Sequence, residues 1–373
     1  MEFRDLKQQY RVLQPQMDKA ILDSVASGAY IMGKPVKELE AQLAEYVGVK
    51  HCLSCANGTD ALTLALKAWG IGPGDAVFVP DFTFFSSAEV VPLEGAEPVF
   101  VDVCEDTFNI DPEDLEHTIQ RTLAEGRLTP KVIVAVDLFG LPADFARIRT
   151  IADRYGLLIL EDGAQGFGGS INGKRACSFG DIATTSFFPA KPVGCYGDGG
   201  AVFTDNDEWA ALVESYRVHG KGAFKYDNVR IGMNSRLDTV QAAVLQVKLK
   251  AFSDYELDAV NRAAERYTAA LDGIVAVPTV PAGFRSSWAQ YTIRLSGREQ
   301  RDSVQQALKE EGIPSMVYYP KPMHAQTAFA SLGGDCCPVA SGLCVRVLSL
   351  PMHPYISDED IATVCNALKS ALR

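Results

Sequence analysis

The sequence predicts an α/β fold in which a mostly parallel β-sheet lies between two layers of helices, followed by a smaller α+β domain. Short apolar runs typical of buried strands alternate with longer amphipathic runs typical of helices. One long helical pattern at 237–271 separates this alternation from a mixed C-terminal part. Such alternation indicates βαβ units, whose ligands bind beyond the carboxyl ends of the strands.

The individual elements follow in chain order from the same two periodicities. Strands are predicted at 76–80, 98–103, 131–137 and 157–160, with helices at 86–93, 112–123 and 145–155. After the long helical pattern come strands at 290–295 and 345–348 and helices at 301–311 and 358–372. We therefore predict a large domain over residues 1–250 and a small C-terminal domain over residues 251–373.

Composition limits the function classes. The 373 residues carry 47 acidic and 35 basic side chains, a net charge of −12, which argues against nucleic acid as a partner because nucleic-acid binders present a basic face. No apolar run reaches the roughly 18 residues of a membrane-spanning helix, and the N-terminus lacks the apolar core of a secretory signal. The nine cysteines are scattered rather than spaced as a disulfide framework. We expect a cytoplasmic enzyme with no membrane contact and no metal, in which the pairs Cys52/Cys55 and Cys336/Cys337 are small core or near-site residues.

A candidate anion site lies at Gly58 and Thr59, directly before a helix whose apolar residues include Leu62 and Ala65. The free N–H groups of a helix start, with the threonine hydroxyl, suit a phosphate. An ordinary helix cap is the alternative interpretation of this pair.

A candidate acid is Asp162, which ends a buried strand and so belongs at the active-site edge of the sheet. A buried carboxylate needs a partner, and a protonated ring nitrogen would serve as one. A structural acid that caps the next helix is the alternative.

The sharpest candidate is Lys191, which stands between an apolar run and a glycine-rich segment, five residues after Ser186. Desolvation lowers the pKa of an amine and makes it a nucleophile able to form a Schiff base. An anion cradle, an acid and such a lysine are together what pyridoxal 5'-phosphate requires.

The ordered set resembles the DegT/DnrJ/EryC1/StrS family of pyridoxal-phosphate-dependent sugar aminotransferases, which have the type I, aspartate-aminotransferase-like fold. The resemblance covers nearly the whole chain. Its motifs are Phe3-x-Asp5-Leu6, 28–33, 57–62, Glu161-Asp162-x-Ala164-Gln165, 186–191, 232–238, Tyr319-Pro320 and 350–354.

The resemblance implies a role for each matching residue. Lys191 holds the cofactor as a Schiff base and moves protons, and Asp162 keeps the ring nitrogen protonated. Gln165 contacts the phenolic oxygen of the ring and Phe84 stacks on the ring, although Phe84 could equally be a core residue. Gly58, Thr59 and Ser186 hold the phosphate, and Asn234 reaches the phosphate of a neighbouring subunit, which implies a homodimer with shared active sites.

The family transfers an amino group from L-glutamate to a keto-sugar nucleotide. Within it, the chain is similar to enzymes that aminate C3 of UDP-2-acetamido-2-deoxy-3-oxo-D-glucuronate for O-antigen sugars, although Tyr318 stands where those enzymes have histidine. A neutral 3-keto or 4-keto deoxysugar nucleotide is the alternative substrate. A sugar dehydratase, disfavoured by Lys191, or a cofactor-binding regulatory protein is a remote alternative. The resemblance puts six residues at substrate-contact positions: Gly28, Tyr30, Ala190, Arg236, Tyr318 and Tyr319.

The segment 217–236 favours an anionic ligand independently of the family. It has one acid, Asp227, and in an acidic chain this excess of bases suits a nucleotide diphosphate or a sugar carboxylate. A solvated loop is the equally weighted alternative. Its five bases are Arg217, Lys221, Lys225, Arg230 and Arg236.

Overall fold

A central seven-stranded sheet organises the chain. The structure is a computed structural model that describes residues 1–224, 226–332 and 337–373, so Lys225 and Cys336 lie outside the described residues. The strands of this sheet, in the order in which they lie side by side, are β1 (His51–Cys55), β9 (Gly200–Thr204), β8 (Ile182–Ser186), β5 (Leu158–Asp162), β4 (Thr129–Val136), β2 (Asp75–Pro80) and β3 (Glu97–Val101).

One strand breaks the parallel pattern of this sheet. Strand β9 runs antiparallel to both of its neighbours, β1 and β8. The remaining pairs, from β8 through β5, β4 and β2 to β3, are all parallel. Because β1 and β8 both run antiparallel to β9, they point in the same direction. The carboxyl ends of six strands therefore meet at one edge of the sheet. The predicted fold class is thereby confirmed.

Helices cover both faces of the sheet. On strand β2, Val77 and Val79 belong to one apolar cluster and Phe78 to another on the opposite face, which is the double burial expected of a parallel sheet. The α-helices in the first part of the chain are α1 (Leu6–Ala26), α2 (Lys34–Val47), α3 (Gly58–Ala68), α4 (Ser86–Leu93), α5 (Pro112–Glu125), α6 (Phe145–Tyr155) and α7 (Asp207–Tyr216).

The long helical pattern forms two helices joined without a break in direction. Helix α8 (Thr239–Ala251) passes through a π-helical turn (Phe252–Glu256) into α9 (Leu257–Leu271). The π turn places Phe252 and Glu256 in the protein interior, where both are buried. A turn of this kind is often found at functional sites.

The C-terminal part has a separate apolar core. Strands β11 (Tyr291–Arg294) and β12 (Val347–Leu350) pair antiparallel, and their side chains pack with those of α9 in one buried cluster. The proposed division near residue 250 stays a prediction. The other elements are β6 (Ser170–Ile171), β7 (Lys174–Arg175), β10 (Phe284–Arg285), α10 (Arg298–Glu310), α11 (Pro338–Arg346) and α12 (Asp358–Ala371).

A buried ion pair ties the first helices to the sheet. Glu40 on α2 accepts hydrogen bonds from the N–H and hydroxyl of Ser54, both at 2.8 Å, and from Arg217 at 2.6 Å. The Arg217 side chain is buried and also pairs with Glu214. The interpretation of Arg217 as part of an anion-binding stretch is therefore wrong, because its charge is already matched inside the protein.

We expect Glu40→Ala to lower the free energy of unfolding by about 1–3 kcal/mol, because Arg217 stays buried and keeps Glu214 as its acid partner. Chemical denaturation followed by circular dichroism measures the change. Glu45→Ala is the matched control, since Glu45 is exposed on the same helix and should cost less than about 0.5 kcal/mol. Equal losses in the two variants would contradict this assignment.

Candidate active site

The carboxyl edge of the sheet brings together the two segments, at Gly58–Thr59 and at Ser186, that the sequence predicts to bind a phosphate. Gly200 on β9 pairs with Cys55 on one side and with Ser186 on the other. A Cβ atom at Gly200 would lie 2.4 Å from the carbonyl oxygen of Asn57. A Cβ atom at Gly58 would lie 2.7 Å from the Cβ of Ser186. Only glycine therefore lets the start of α3 approach the end of β8 this closely.

The N-terminus of α3 offers amides to an anion. Asn57 caps the helix by accepting the Asp60 N–H at 2.8 Å, and the first amides of any helix have no acceptor inside it. Among the described residues, the amides of Gly58 and Thr59 have no protein acceptor. With the Ser186 hydroxyl close by, these groups form a cradle for one phosphate.

The Thr59 hydroxyl belongs to a chain of hydrogen bonds. It lies 2.7 Å from the Ser86 hydroxyl, and Ser86 donates to Glu89 at 3.1 Å. Since the proton of Ser86 is engaged by Glu89, Thr59 donates to Ser86 in this arrangement. Its amide, rather than its hydroxyl, is thus the group free to bind the anion.

The predicted acid lies at the bottom of this edge. Asp162 is 5% exposed, and it accepts hydrogen bonds from the hydroxyl of Ser87 at 2.8 Å and from the amide of Ala164 at 3.2 Å. None of the ion pairs within 4 Å that the described residues form involves Asp162. A buried carboxylate with only neutral partners favours a cation placed against it.

Two further acids lie behind Asp162. Burial and the mutual repulsion of the two carboxyl groups raise the pKa of Asp137 well above its usual value, and burial raises that of Glu161. Glu161 accepts the amides of Cys177, of Phe179 at 2.7 Å and of Gly180 at 3.0 Å. These amides favour the anion on Glu161, so Asp137 carries the proton of the pair.

Lys191 lies on the loop 187–199 between β8 and β9. Its amide donates to the Phe188 carbonyl at 2.8 Å, and its carbonyl accepts from Arg4 at 2.8 Å. Burial lowers the pKa of the Lys191 amine, the Asp162 charge opposes that change, and the Arg4 charge adds to it. The Lys191 amine is therefore neutral more readily than the amine of an exposed lysine. The neutral form is the one that attacks a carbonyl group.

Aromatic side chains and the side-chain amide of Gln165 lie beside the phosphate cradle. The ring of Phe84 is 52% exposed and lies 6.2 Å from the ring of Tyr319. Gln165 accepts the Phe139 amide at 2.7 Å through its oxygen and donates to the Tyr319 hydroxyl at 3.0 Å through its nitrogen. Since a backbone amide fixes the orientation of Gln165, its NH₂ group faces the site as a donor. Tyr318 is partly buried against Phe3.

The basic stretch borders an open concavity of about 1020 Å³. Arg236 lines it and donates to Asn234 at 2.5 Å, and no acid among the described residues pairs with Arg236 within 4 Å. Ser235 between them donates to Asp60 on α3 at 2.6 Å. The concavity therefore lies next to α3, and the N-terminus of α3 forms part of the phosphate cradle.

The remaining predicted substrate positions are more widely spread. Ala190 is exposed beside Lys191, whereas Gly28 and Tyr30 follow α1, with Tyr30 53% exposed. The Tyr30 carbonyl accepts the amide of Thr239 at 2.9 Å. Among the described residues, no hydrogen bond joins the side chain of Asn234 or Tyr30 to Gly58, Thr59 or Ser186.

The residues present fit pyridoxal phosphate. The cradle suits its phosphate, the Asp162 carboxylate lacks a cation that the ring nitrogen would supply, and the Lys191 amine suits its aldehyde. Within residues 186–201, Ser186 contributes to the phosphate cradle and Lys191 supplies the amine. One stretch of chain thus carries two of the three contacts.

Comparison with known proteins agrees with this fit. Residues 12–369 match the family described as the DegT/DnrJ/EryC1/StrS aminotransferase family. The chain belongs to this family. Its pyridoxal phosphate cofactor and its aminotransferase activity follow from that membership.

Two curated relatives and one solved structure are similar over nearly their whole lengths. A UDP-2-acetamido-2-deoxy-3-oxo-D-glucuronate aminotransferase from Pseudomonas aeruginosa is 44% identical, covering 99% of both chains. A UDP-N-acetyl-3-dehydro-alpha-D-glucosamine 3-aminotransferase from Acidithiobacillus ferrooxidans is 41% identical, covering 99% of this chain and 97% of the relative. The crystal structure of a DegT/DnrJ/EryC1/StrS aminotransferase from Brucella abortus is 52% identical, with a TM-score of 0.96 and 99% of both chains covered.

Further observations concern membranes and thiols. Within the described residues, no helix combines the length and the apolar character needed to cross a bilayer. Cys52 and Cys55 are buried free thiols, and burial raises the pKa of both. They therefore do not form a disulfide in this structure.

Sequence reasoning missed two residues that contact the predicted site. Ser87 donates to Asp162 from 75 positions away, and Arg4 donates to Lys191 from 187 positions away. Ser87 carried a weak signal, because it is the second serine of the run Phe84-Phe85-Ser86-Ser87 at a predicted helix start. The only sequence signal for Arg4 was its position inside the motif at residues 3–6.

We expect Gly58→Ala to weaken cofactor binding on the order of tenfold or more, because the added methyl overlaps Ser186 and overpacking costs roughly 1–3 kcal/mol. A fluorescence titration of the cofactor-free protein measures the dissociation constant. Gly297→Ala is the matched control, since a Cβ there meets nothing within 4 Å. Unchanged binding in Gly58→Ala would refute the proposed cradle.

Proposed function

We propose that the protein transfers the amino group of L-glutamate to C3 of UDP-2-acetamido-2-deoxy-3-oxo-D-glucuronate, a step in making surface-polysaccharide sugars. The observation that carries this proposal is the placement of Lys191, Asp162 and the α3 cradle at one edge of the sheet. The similarity to the Pseudomonas enzyme over the whole chain supports the choice of acceptor.

Each of these residues has a distinct task. Bound pyridoxal phosphate supplies an electron-withdrawing ring that makes the α-proton of the donor amino acid removable. Lys191 holds the cofactor and, once released, moves that proton with its own Nζ atom. Asp162 holds a positive charge on the ring nitrogen, and Gly58, Thr59 and Ser186 fix the phosphate so that the ring cannot rotate away.

Gln165 and Phe84 complete the proposed ring site. The fixed donor face of Gln165 suits the phenolic oxygen of the cofactor, since its own oxygen is already bonded to Phe139. The exposed ring of Phe84 suits stacking on one face of the cofactor ring. Both assignments are supported by orientation rather than by sequence spacing alone.

Arg236 is the proposed partner of the sugar carboxylate. Its guanidinium lines the concavity and has no acid partner within 4 Å among the described residues, and a guanidinium binds a carboxylate in a bidentate manner. Gly28, Tyr30, Ala190, Tyr318 and Tyr319 are the other proposed substrate contacts.

A neutral 3-keto UDP-sugar is the second candidate acceptor. The Acidithiobacillus relative is named for a glucosamine substrate, which lacks a C6 carboxylate. Tyr318 favours this candidate, because tyrosine offers a neutral hydrogen bond where a histidine could carry a charge.

We further propose that two chains share their active sites as a homodimer in the cytoplasm. The segment 218–236 exposes four apolar side chains, and contiguous exposed apolar surface is typical of an interface. Asn234 in this segment is exposed and would reach the phosphate of the partner subunit. The free cysteines among the described residues suit a reducing compartment. The four apolar residues are Phe224, Tyr226, Val229 and Ile231.

Lys191→Ala should abolish turnover and also the covalent cofactor adduct that borohydride fixes on the wild-type protein, because Lys191 supplies the amine that the proposed mechanism requires. Mass spectrometry of the borohydride-treated protein measures the adduct. Lys250→Ala, which removes an exposed lysine on α8, should keep both. A Lys191→Ala protein that still transfers amines would refute the mechanism.

Arg236→Ala should lower kcat/KM for the 3-oxo-glucuronate on the order of a hundredfold, since a charged hydrogen-bonded pair contributes about 1.5–3 kcal/mol. The same variant should lose less than about threefold with the neutral 3-keto glucosamine nucleotide. Steady-state kinetics with both acceptors measures the two ratios. Equal losses would contradict carboxylate recognition and favour the neutral substrate.

A further inference from the structure

The N-terminal segment before α1 forms part of the wall behind Lys191. The Phe3 carbonyl accepts the Met352 amide at 3.2 Å, and the Phe3 ring meets Tyr318 edge to face at 6.2 Å. Asp5 then caps α1 by accepting the Gln8 amide at 2.8 Å. Arg4 is thus held from both sides, and its guanidinium points to the Lys191 loop.

Arg4 fixes the main chain of Lys191 at the carbonyl. Its Nη2 donates to that oxygen at 2.8 Å, while the Lys191 amide is fixed by Phe188 at 2.8 Å. With both backbone groups of Lys191 engaged, the residue has little freedom to rotate, and the direction of its side chain is set. The Arg4 guanidinium therefore influences the position of the Lys191 amine through the Lys191 backbone.

Arg4, which is partly buried, also lies near the buried charges of Lys248 and Glu256. Glu256, at the π turn, accepts Gln9 at 3.0 Å and the Tyr355 hydroxyl at 2.5 Å. Lys248 on α8 is 2% exposed, and its ammonium lies 4.4 Å from the centre of the Tyr196 ring. Arg4 and Lys248 thus share the acid Glu256, and the charges of Asp5, Asp360 and Glu2 act on the neighbouring His353.

The neighbouring ionisable groups respond first to burial and then to the charge of Arg4. Burial lowers the pKa of Arg4 to about 10, against the attraction of Glu256. Burial and the charge of Arg4 lower the pKa of Lys248 to about 8. The same two causes lower the pKa of His353 to about 4, so this histidine is neutral at pH 7. Around Lys191 itself, Asp162 is the opposing acid and Arg4 the neighbouring cation.

We propose that Arg4 is a positioning residue for Lys191, which fixes the lysine backbone by a hydrogen bond. The positive charge of the same guanidinium also disfavours the charged form of the Lys191 amine. The inference rests on the proposed function of Lys191. It assigns the N-terminal segment to the reacting centre, although 187 positions separate the two residues.

The test measures the pH dependence with which Lys191 of the full chain, freed of cofactor by dialysis, is acylated by acetic anhydride. Only the neutral amine reacts, so the midpoint of the profile reports its protonation. Arg4→Met removes the charge and keeps an apolar stem, Arg4→Lys keeps the charge and loses the planar fork, and Arg11→Met is the control on exposed α1 surface. Peptide mass spectrometry gives the rate at Lys191.

In Arg4→Met we expect the midpoint to rise and acylation below it to slow roughly threefold or more, as loss of a neighbouring cation requires. Arg4→Lys and Arg11→Met should keep the wild-type midpoint. In the holoenzyme, both Arg4 variants should lose kcat on the order of tenfold with little change in KM for glutamate, because the amine is misplaced.

A wild-type midpoint in folded Arg4→Met would overturn the electrostatic part of the proposal, and wild-type kcat in Arg4→Lys would overturn the positioning part. If Arg4→Met does not fold, as judged by circular dichroism, Arg4→Lys still decides the positioning part, and Arg4→Gln decides the electrostatic part. A wild-type protein that transfers no amine would refute the proposed function instead, while the acylation profiles would still decide the role of Arg4.

Discussion

The pairing of Gly200 with Cys55 on one side and Ser186 on the other is the constraint on which the site depends. It aligns the end of β8 with the end of β1, and α3 begins three residues after Cys55. A shift of one residue in the β8–β9 register would change the face on which Ser186 meets Gly200, and a shift in the β1–β9 register would do the same for Cys55. The absence of a side chain at Gly200 is equally required, since a Cβ would press on Asn57.

Around this fixed edge, three acids lie on the side of the sheet, and two cations lie with Glu256 on the side of the Lys191 loop. Asp162, Glu161 and Asp137 lie within and behind the sheet, whereas Arg4 and Lys248 lie behind the Lys191 loop. Under the proposed function, a cofactor held at Lys191 would have Asp162 at its ring nitrogen and Arg4 on the side of the lysine loop. Electrostatic arrangement of this kind is fixed by folding and needs no rearrangement during the reaction.

The sequence predicted local structure better than long-range contacts. Helices α4 and α6 begin and end at the predicted residues, since a helix cap or a following glycine marks their ends. The antiparallel insertion of β9 was not predicted, because periodicity carries no information on strand direction. The site residues were named by motif, whereas Ser87 and Arg4 depend on contacts between segments far apart in the chain. Arg217 was misjudged because its partner Glu40 lies on another helix.

The loop 187–199 is closed at its base by the pairing of Ser186 with Gly200. Substitutions inside this loop can alter Lys191 without disturbing the strands that build the phosphate cradle. Anchoring the cofactor and reacting with it are thus separable in evolution. A lineage that exchanges the lysine for another residue inherits an intact binding site on which a different chemistry can be selected.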